Sequence, residues 1–412
     1  MHIVLANQWF IPEHGGGVGR YNAEIANAYR ILGHEVTVIA KRPSSNVLLS
    51  ENIRGIQVYR LPVRDSYYLR RIPLLGRYVR PLKQLLYSWR VNQALRQLHE
   101  QRPIDVVEFA EINAEGFFYA RAPQTPFVVR CHTPTSVLAR YYSKAELDFD
   151  TAITAWCEKD LIRRATALTT PSRDMARVIA AEYGVPIEQI AVIPNALGFD
   201  EDPEPLPKQT RSDAVTILYV GRLERVKGGM VFAAAIPKIL AQVPNARILF
   251  VGGDRPAAHG RTQRGEIERE LEQAGLLSKV EFLGGVDQPV LSETYRRADI
   301  CVVPSLLYES FSYTCAEGMA AGKPVVASRI GGTSETVEDG VTGLLVTPGC
   351  VDELAEAIIR LACDPTLRDR MGRAGREKVA REFDPVKIAQ CNIQVYEQAR
   401  RKYMRANSLH RR

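Results

Sequence analysis

Apolar runs of strand length alternate with amphipathic stretches of helix length along the chain, and they do so in two cycles. His2–Ala6 (HIVLA) is a mainly apolar run that gives way to Asn7, Gln8 and Trp9, as a buried first strand does. A helix is expected over about Val18–Leu32 and a strand over Glu35–Ala40. The cycle passes through the strand PFVVR, which ends two residues before His132, and closes near Asn195. A second cycle opens with a strand at Val215–Val220. Between the two, Asp200–Ser212 (DEDPEPLPKQTRS) is polar, carries three prolines and has no period, which is linker composition. Beyond Asp384 a last helix, PVKIAQCNIQVYEQARRKY, has no strand to follow. Repeated strand–helix alternation predicts an α/β protein of two doubly wound domains, residues 1–200 and 213–384, joined by a linker at 201–212.

The second cycle carries the densest candidate chemistry. The strand in ADICVVPS ends at Pro304, a loop runs from Ser305 to Ser312, and a small-residue helix from Tyr313 to Ala321 stops at Gly322 before the strand PVVAS. Glu309 therefore lies on the loop and Glu317 inside the helix, with seven residues between them. Open α/β sheets bind ligands at the carboxyl ends of their strands. A helix amino terminus there offers unpaired N–H groups to an anion. Two carboxylates around such an end suit the hydroxyls of a sugar and a ribose joined by a diphosphate. Upstream, TILYVGRLERVKG sets Arg222 and Lys227 beyond a strand end, where an arginine grips phosphate oxygens in two places and a lysine acts as a point charge. Gly252 and Gly253 close the strand RILFV, and Leu283–Val286 close the next one.

Composition narrows the class. A chain of 412 residues with 46% hydrophobic and 25% charged residues is long enough for two cores and is globular. No apolar run reaches transmembrane length, and the first strand starts too early for a signal peptide, so a cytosolic site of action is expected. The seven cysteines (131, 157, 301, 315, 350, 363, 391) are scattered without a C-x-x-C pair and read as reduced thiols. Gly15, Gly16, Gly17 and Gly19 stand where the first strand turns into a helix, and glycine lets backbone N–H groups approach a ligand. Lys41 and Arg42 follow the second strand where a dinucleotide site needs an acid, which speaks against NAD. Asp148 and Asp150 (LDFD) have D-x-D spacing but sit in a polar, helix-prone stretch, so no metal site is expected.

The segments GGGVGRYNAEIANAYRILGHEVTVIA (Gly15–Ala40), FVVRCH (Phe127–His132), TTPSRDMA (Thr169–Ala176), VIPNALGFD (Val192–Asp200), VGRLERVKG, LFVGGDRP (Leu249–Pro256), the glutamate pair and GGTSETVEDGVTGLLV (Gly331–Val346) follow one another in order over some 350 positions. Together they resemble the retaining GT-B glycosyltransferases of the family 4 group. The resemblance implies two Rossmann-like domains facing across a cleft, with the terminal helix, residues 385–412, crossing back to the first domain. It also implies a transferase that takes a hexose-type sugar from a nucleoside-diphosphate sugar and needs neither cofactor nor metal. Of the catalytic candidates, Arg222 and Lys227 would meet the diphosphate, Glu309 the sugar's 3- or 4-hydroxyl, and His132 the sugar near its 6-hydroxyl. Donor contacts would come from Phe311 and Ser312 main-chain N–H groups, from Tyr313 opening the helix, and from Glu317 at the ribose. Gly252, Gly253, Gly284 and Val286 would hold the base, with Gly16 and Gly17 near the sugar and acceptor. Relatives often carry Gly or Pro after the first glutamate and Gly after the aromatic; Ser310 and Ser312 stand here, which leaves the donor sugar open. UDP is the default nucleotide, with GDP and ADP open, and a front-face reaction is preferred over a double displacement.

From Arg54 to Arg102 eleven cations (Arg54, Arg60, Arg64, Arg70, Arg71, Arg77, Arg80, Lys83, Arg90, Arg96, Arg102) face two acids, Asp65 and Glu100, an excess of +9 in a chain of net charge +7. Tyrosines, leucines and Trp89 are interleaved. Such a segment suits an anionic membrane surface or a phosphate-bearing acceptor. Arg70, Arg71, Arg77 and Arg80 are the candidate contacts, and the partner expected is a lipid-linked or saccharide acceptor on the inner face of a membrane. No nucleic-acid motif accompanies the charge. Two other readings stay open: an epimerase or hydrolase of sugar nucleotides on the same fold, and a non-enzymatic sugar-nucleotide sensor.

Overall fold

The computed structural model describes residues 1–11, 16–42, 49–62, 79–142, 149–198, 214–254 and 262–410. The linker at 201–212 and the candidates Arg70, Arg71 and Arg77 lie outside them; Arg80 is described through its backbone alone. The chain forms two compact units, Met1–Ala196 with Phe383–Arg412, and Leu197–Glu382.

The first unit is built on eight strands: β1 (His2–Ala6), β2 (Glu35–Arg42), β3 (Leu49–Ile53), β4 (Ile56–Pro62), β5 (Val106–Ala110), β6 (Phe127–Arg130), β7 (Ala167–Thr170) and β8 (Ile190–Val192). Their order is β3-β4-β2-β1-β5-β6-β7-β8, parallel except for the β3/β4 pair. β1 and β5 are buried at every residue, the signature of strands covered on both faces. Helices α1 (Gly16–Ile31), α2 (Val79–Gln101), α3 (Thr135–Leu138), α4 (Phe149–Arg164) and α5 (Arg173–Tyr183) connect them. The order reverses between β1 and β5, so the loops leaving these strands open a crevice at their carboxyl ends.

The second unit repeats the plan without an antiparallel edge. Strands β9 (Thr216–Val220), β10 (Arg247–Val251), β11 (Val280–Gly284), β12 (Ile300–Val303), β13 (Val325–Ser328) and β14 (Gly343–Val346) lie in the order β11-β10-β9-β12-β13-β14, all parallel. This is the strand order of a dinucleotide-type fold, with its switch point between β9 and β12. Helices α6 (Gly229–Gln242), α7 (Gln263–Gln273), α8 (Gln288–Arg297), α9 (Tyr313–Ala320), α10 (Thr333–Thr336), α11 (Val351–Cys363) and α12 (Pro365–Glu382) cover it. In α11 Leu354, Ala355, Ile358, Ile359, Leu361 and Ala362 recur at helical spacing and are buried against the strands' apolar side chains.

The terminal helix α13 (Pro385–His410) belongs to the first unit. Polar contacts as well as apolar burial fix it there. Tyr396 hydroxyl bonds the Tyr29 hydroxyl at 2.7 Å and donates to the Glu108 carboxylate, and Asn392 Nδ2 donates to the Tyr21 hydroxyl at 3.0 Å. Glu108 sits on the central strand β5 without solvent, and burial raises its pKa while the Arg130 charge opposes the rise. Among the described residues no helix is long and apolar enough to cross a membrane.

Candidate active site

In the second unit the two loops at the switch point are stitched together. After β9 the chain runs through Gly221, Arg222, Leu223 and Glu224 into a 3-10 turn at Arg225–Lys227. Tyr219 hydroxyl donates to the carbonyls of Arg222 and Lys227, at 3.2 and 3.4 Å, and so pins that turn to its own strand. The N–H groups of Leu306 and Leu307, beyond β12, both donate to the Val226 carbonyl. Gly228 has φ +74°, and a Cβ there would stand 1.8 Å from the Pro304 carbonyl oxygen. Only glycine lets the β9–α6 turn rest on the end of β12.

That contact puts Lys227 beside Glu309. Lys227 Nζ lies 2.6 Å from Glu309 Oε1, and Ser305 Oγ donates to the same oxygen at 2.9 Å. Burial works against the lysine's charge, and the Glu309 carboxylate outweighs it, holding the ammonium pKa above its ordinary value. Arg222 is half exposed and pairs with Glu224 at 2.7 Å. Ser312 caps α9 by accepting from the Cys315 N–H at 3.4 Å, while Phe311 packs edge-on against Tyr313 with ring centroids 5.2 Å apart. The small residues of α9 let it lie close to the sheet: a Cβ on Gly318 would stand 3.0 Å from Cys301 Sγ. Glu317, half-buried, accepts from the Tyr295 hydroxyl at 2.8 Å. At the ends of β10 and β11, the Gly252 N–H donates to the Gly284 carbonyl and the Gly253 carbonyl accepts from the Leu223 N–H. Those two contacts tie the strand ends to each other and to the β9 turn, and Val286 just beyond β11 is half-buried. The structure thus brings Lys227, Glu309, Ser305 and the start of α9 into one cluster, with Arg222 and Glu224 paired beside it.

In the first unit Gly16 and Gly17 open α1 beyond β1, Gly16 with φ +63°. His132, two residues past β6, is 5% exposed and stands edge-to-face with Tyr21 at 5.4 Å. Burial, helped by the Arg130 charge, pushes the imidazole pKa well down. It is therefore a neutral ring at pH 7, a hydrogen-bonding group and not a cation. The main-chain N–H of His132 donates to Glu111 Oε2 at 2.8 Å.

Models of two glycosyltransferase domains match the chain: "Glycosyl transferase 4-like domain" over residues 16–196 and "Glycosyl transferases group 1" over residues 201–378. The chain belongs to the group 1 glycosyltransferases. It is 28% identical to a glycogen synthase from Mycobacterium tuberculosis over 97% of this chain and 95% of that one. It is also 28% identical to a phosphatidyl-myo-inositol mannosyltransferase from Mycobacterium leprae, over 93% of each. Among solved structures, a sucrose-phosphate synthase from Thermosynechococcus elongatus superposes with a TM-score of 0.75 at 25% identity, over 96% of this chain and 98% of the other. The two parallel-sheet units of the glycosyltransferase are thus the GT-B fold.

Sequence reasoning passed over three carboxylates in this glycosyltransferase. Glu111 and Glu115 follow β5 on a turn where Asn113 and Ala114 both take positive φ, 60° and 47°. Glu115 Oε1 accepts from the Gln8 N–H at 3.1 Å, and Glu158 accepts from the Asn113 and Thr135 N–H groups and from the Thr135 hydroxyl. Among the described residues Glu111 Oε1 and Glu115 Oε2 are buried with no partner. Burial pushes both carboxyl pKa values up to about 8, with the neighbouring Glu158 charge adding to the rise at Glu111. The signal was present as the string EFAEINAEG directly behind an apolar strand.

A pH dependence follows. Each of these groups binds its proton more tightly folded than unfolded, so its contribution is complete below about pH 4, where both states are protonated, and is lost as the pH rises toward the folded value. The Glu111→Gln variant is neutral at every pH. Its stability relative to the native chain should climb from about pH 5 and level off above about 8. All three tryptophans (9, 89 and 156) lie in the first unit, so denaturant unfolding followed by tryptophan fluorescence reads it directly. A difference flat with pH would show that Glu111 is ionised in the folded state.

Proposed function

We propose that this glycosyltransferase moves a hexose-type sugar, with retention and without a metal, from a nucleoside-diphosphate sugar to a hydroxyl of a lipid-linked or cell-surface polysaccharide intermediate. UDP is the favoured nucleotide. The observation that carries the reading is the Lys227–Glu309–Ser305 cluster at the second unit's switch point, beside the capped amino end of α9. Breaking the sugar–phosphate bond develops negative charge on the departing diphosphate. Lys227, on turning from Glu309, Arg222 and the N–H groups at the start of α9 supply the donors that stabilise this charge. Glu309 takes the sugar's 3- or 4-hydroxyl, Glu317 the ribose and His132, as a neutral ring, the 6-hydroxyl. Phe311, Ser312 and Tyr313 line the α9 end, Gly253, Gly284 and Val286 the base, and Gly16 and Gly17 approach the sugar and acceptor. In a front-face reaction the leaving phosphate oxygen accepts the acceptor's proton as the new bond forms on the same face.

An anionic membrane surface is the proposed setting for the acceptor. On α2, Leu82, Leu86 and Trp89 recur at helical spacing with close to half of each side chain exposed. The basic candidates Arg70, Arg71, Arg77 and Arg80 lie just before or at the start of this stripe. Each cation near an anionic surface is worth about 1 kcal/mol. The family also contains a mannosyltransferase named for phosphatidyl-myo-inositol.

The test is a panel of UDP-, GDP- and ADP-sugars assayed for nucleotide release, with and without polyprenyl-diphosphate sugars, in EDTA. Transfer from one donor with the anomeric configuration kept is expected. A strict need for Mg²⁺ or Mn²⁺ would sink the metal-free mechanism. Sedimentation with vesicles should show binding to anionic and not to neutral lipid, declining with salt.

A further inference from the structure

Both cations that the donor's diphosphate would meet are already closed onto carboxylates. Arg222 is half exposed, so its pair with Glu224 can open into water at little cost. The Lys227–Glu309 pair is different. The two side chains are only 26% and 17% exposed, and Ser305 holds the same carboxylate oxygen. The backbone under Glu309 is clamped as well. Its carbonyl accepts from the Gly332 N–H at 2.7 Å, and Gly331, at φ +52°, packs so closely that a Cβ there would stand 2.5 Å from that carbonyl oxygen. The Glu309 backbone is thus fixed, and Ser305 still holds its carboxylate in place when Lys227 turns to a phosphate.

This decides what kind of anion the site accepts. A free diphosphate offers oxygens to Lys227 but brings further negative charge beside Glu309, whose counter-charge it would be taking. Leaving a covered carboxylate unpaired next to like charge is strongly unfavourable. A nucleoside-diphosphate sugar brings less charge at the terminal phosphate and, in addition, sugar hydroxyls. Those hydroxyls donate to Glu309 and replace the bond that Lys227 gives up.

We propose that the Lys227–Glu309–Ser305 cluster is a discriminator between donor and product. It admits a diphosphate that carries a sugar and disfavours the nucleoside diphosphate left after transfer, so that product leaves once the sugar hydroxyls no longer face Glu309. Ser305 is a positioning residue in this scheme, keeping Oε1 turned toward Lys227. The inference rests on the donor reading above and adds to it the selectivity of the same site.

Calorimetry with UDP and with inorganic pyrophosphate tests it without turnover. Glu309→Gln keeps the shape and removes the charge, so both probes should bind about tenfold tighter or more, as expected when a like charge is removed from a covered contact. Intact UDP-sugar, measured without acceptor, should gain less than free UDP. Glu309→Ala serves as a second variant with the same expectation for pyrophosphate. In the Lys227→Ala/Glu309→Gln double variant the gain should vanish, because the released cation is what the probes capture. Unchanged or weaker binding of UDP and pyrophosphate in Glu309→Gln, with normal donor turnover in the native protein, would overturn the discriminator alone. Absence of nucleotide binding and of turnover in the native protein would overturn the donor reading beneath it.

Discussion

Replacing Lys227 by alanine is expected to lower turnover by about a hundredfold to a thousandfold, the loss seen when one preorganised donor is taken from developing negative charge. The structure ranks this change above Arg222→Ala. Arg222 is half exposed and already shares its charge with Glu224, whereas Lys227 is held between the β9 turn and the β12 loop and meets a carboxylate at 2.6 Å. Lys227→Arg should fail to restore the rate. A guanidinium is a planar fork that needs more room than the compact ammonium seated 2.6 Å from Glu309. The check is the kcat for nucleotide release by each variant with the preferred donor, beside a thermal midpoint that shows the fold intact. Turnover within a few-fold of native for Lys227→Ala would remove Lys227 from the mechanism.

Much of the second unit could be read from its pattern. The strand expected to end at Pro304 spans Ile300–Val303, and the helix expected to reach Ala321 ends at Ala320. The reason is that β12 and β13 are covered on both faces, so they stand out as apolar runs bounded by glycine, proline and loop polar residues. The carboxylate on the loop and the carboxylate in the helix were legible for the same reason. The pairing of Lys227 with Glu309 was not, because those residues are 82 positions apart and meet through a glycine packed on the Pro304 carbonyl and through the Leu306 and Leu307 N–H groups on the Val226 carbonyl. A local period carries no record of that contact. The serine that holds Glu309 was likewise read as one more loop residue.

The first unit hid more. Its strands show in the sequence, but its polar interior does not, since a hydropathy pattern counts each carboxylate or guanidinium as a surface residue. Glu108, Glu111, Glu115, Glu158 and Arg130 are all buried. Each is tolerated because main-chain N–H groups, hydroxyls or carbonyls reach it, and those partners come from strands and helices far apart in the chain. His132 was placed by resemblance beside the donor sugar; what the sequence did not show is that it is 5% exposed and packed edge-on against Tyr21, with burial holding its pKa down so that the ring meets a partner as a neutral group.

Arg130 carries the largest expected effect on stability. Its side chain is fully buried, donates to the Ile193 carbonyl and to Asn195 Oδ1, each at 2.8 Å, and lies over the Tyr21 ring at 4.1 Å. These bonds tie the end of β6 to the segment after β8 and to α1. Its charge also opposes the cost of burying Glu108, the residue that receives the Tyr396 hydroxyl from α13. Methionine in its place fills much of the volume but leaves the Ile193 carbonyl and Asn195 without their donor and Glu108 without its balancing charge. We expect Arg130→Met to lower the stability of the first unit by about 3–5 kcal/mol, the range for removing one partner from a buried charged network. Glu108→Gln, which keeps an acceptor for Tyr396, should cost less. The two changes together should cost less than their sum, because removing Glu108 removes part of what Arg130 balances. Denaturant unfolding followed by tryptophan fluorescence isolates this unit, since Trp9, Trp89 and Trp156 all belong to it. Strictly additive losses would mean that Arg130 acts through its bonds to Ile193 and Asn195 alone, and that the charge of Glu108 is borne by the hydroxyls of α1 and α13.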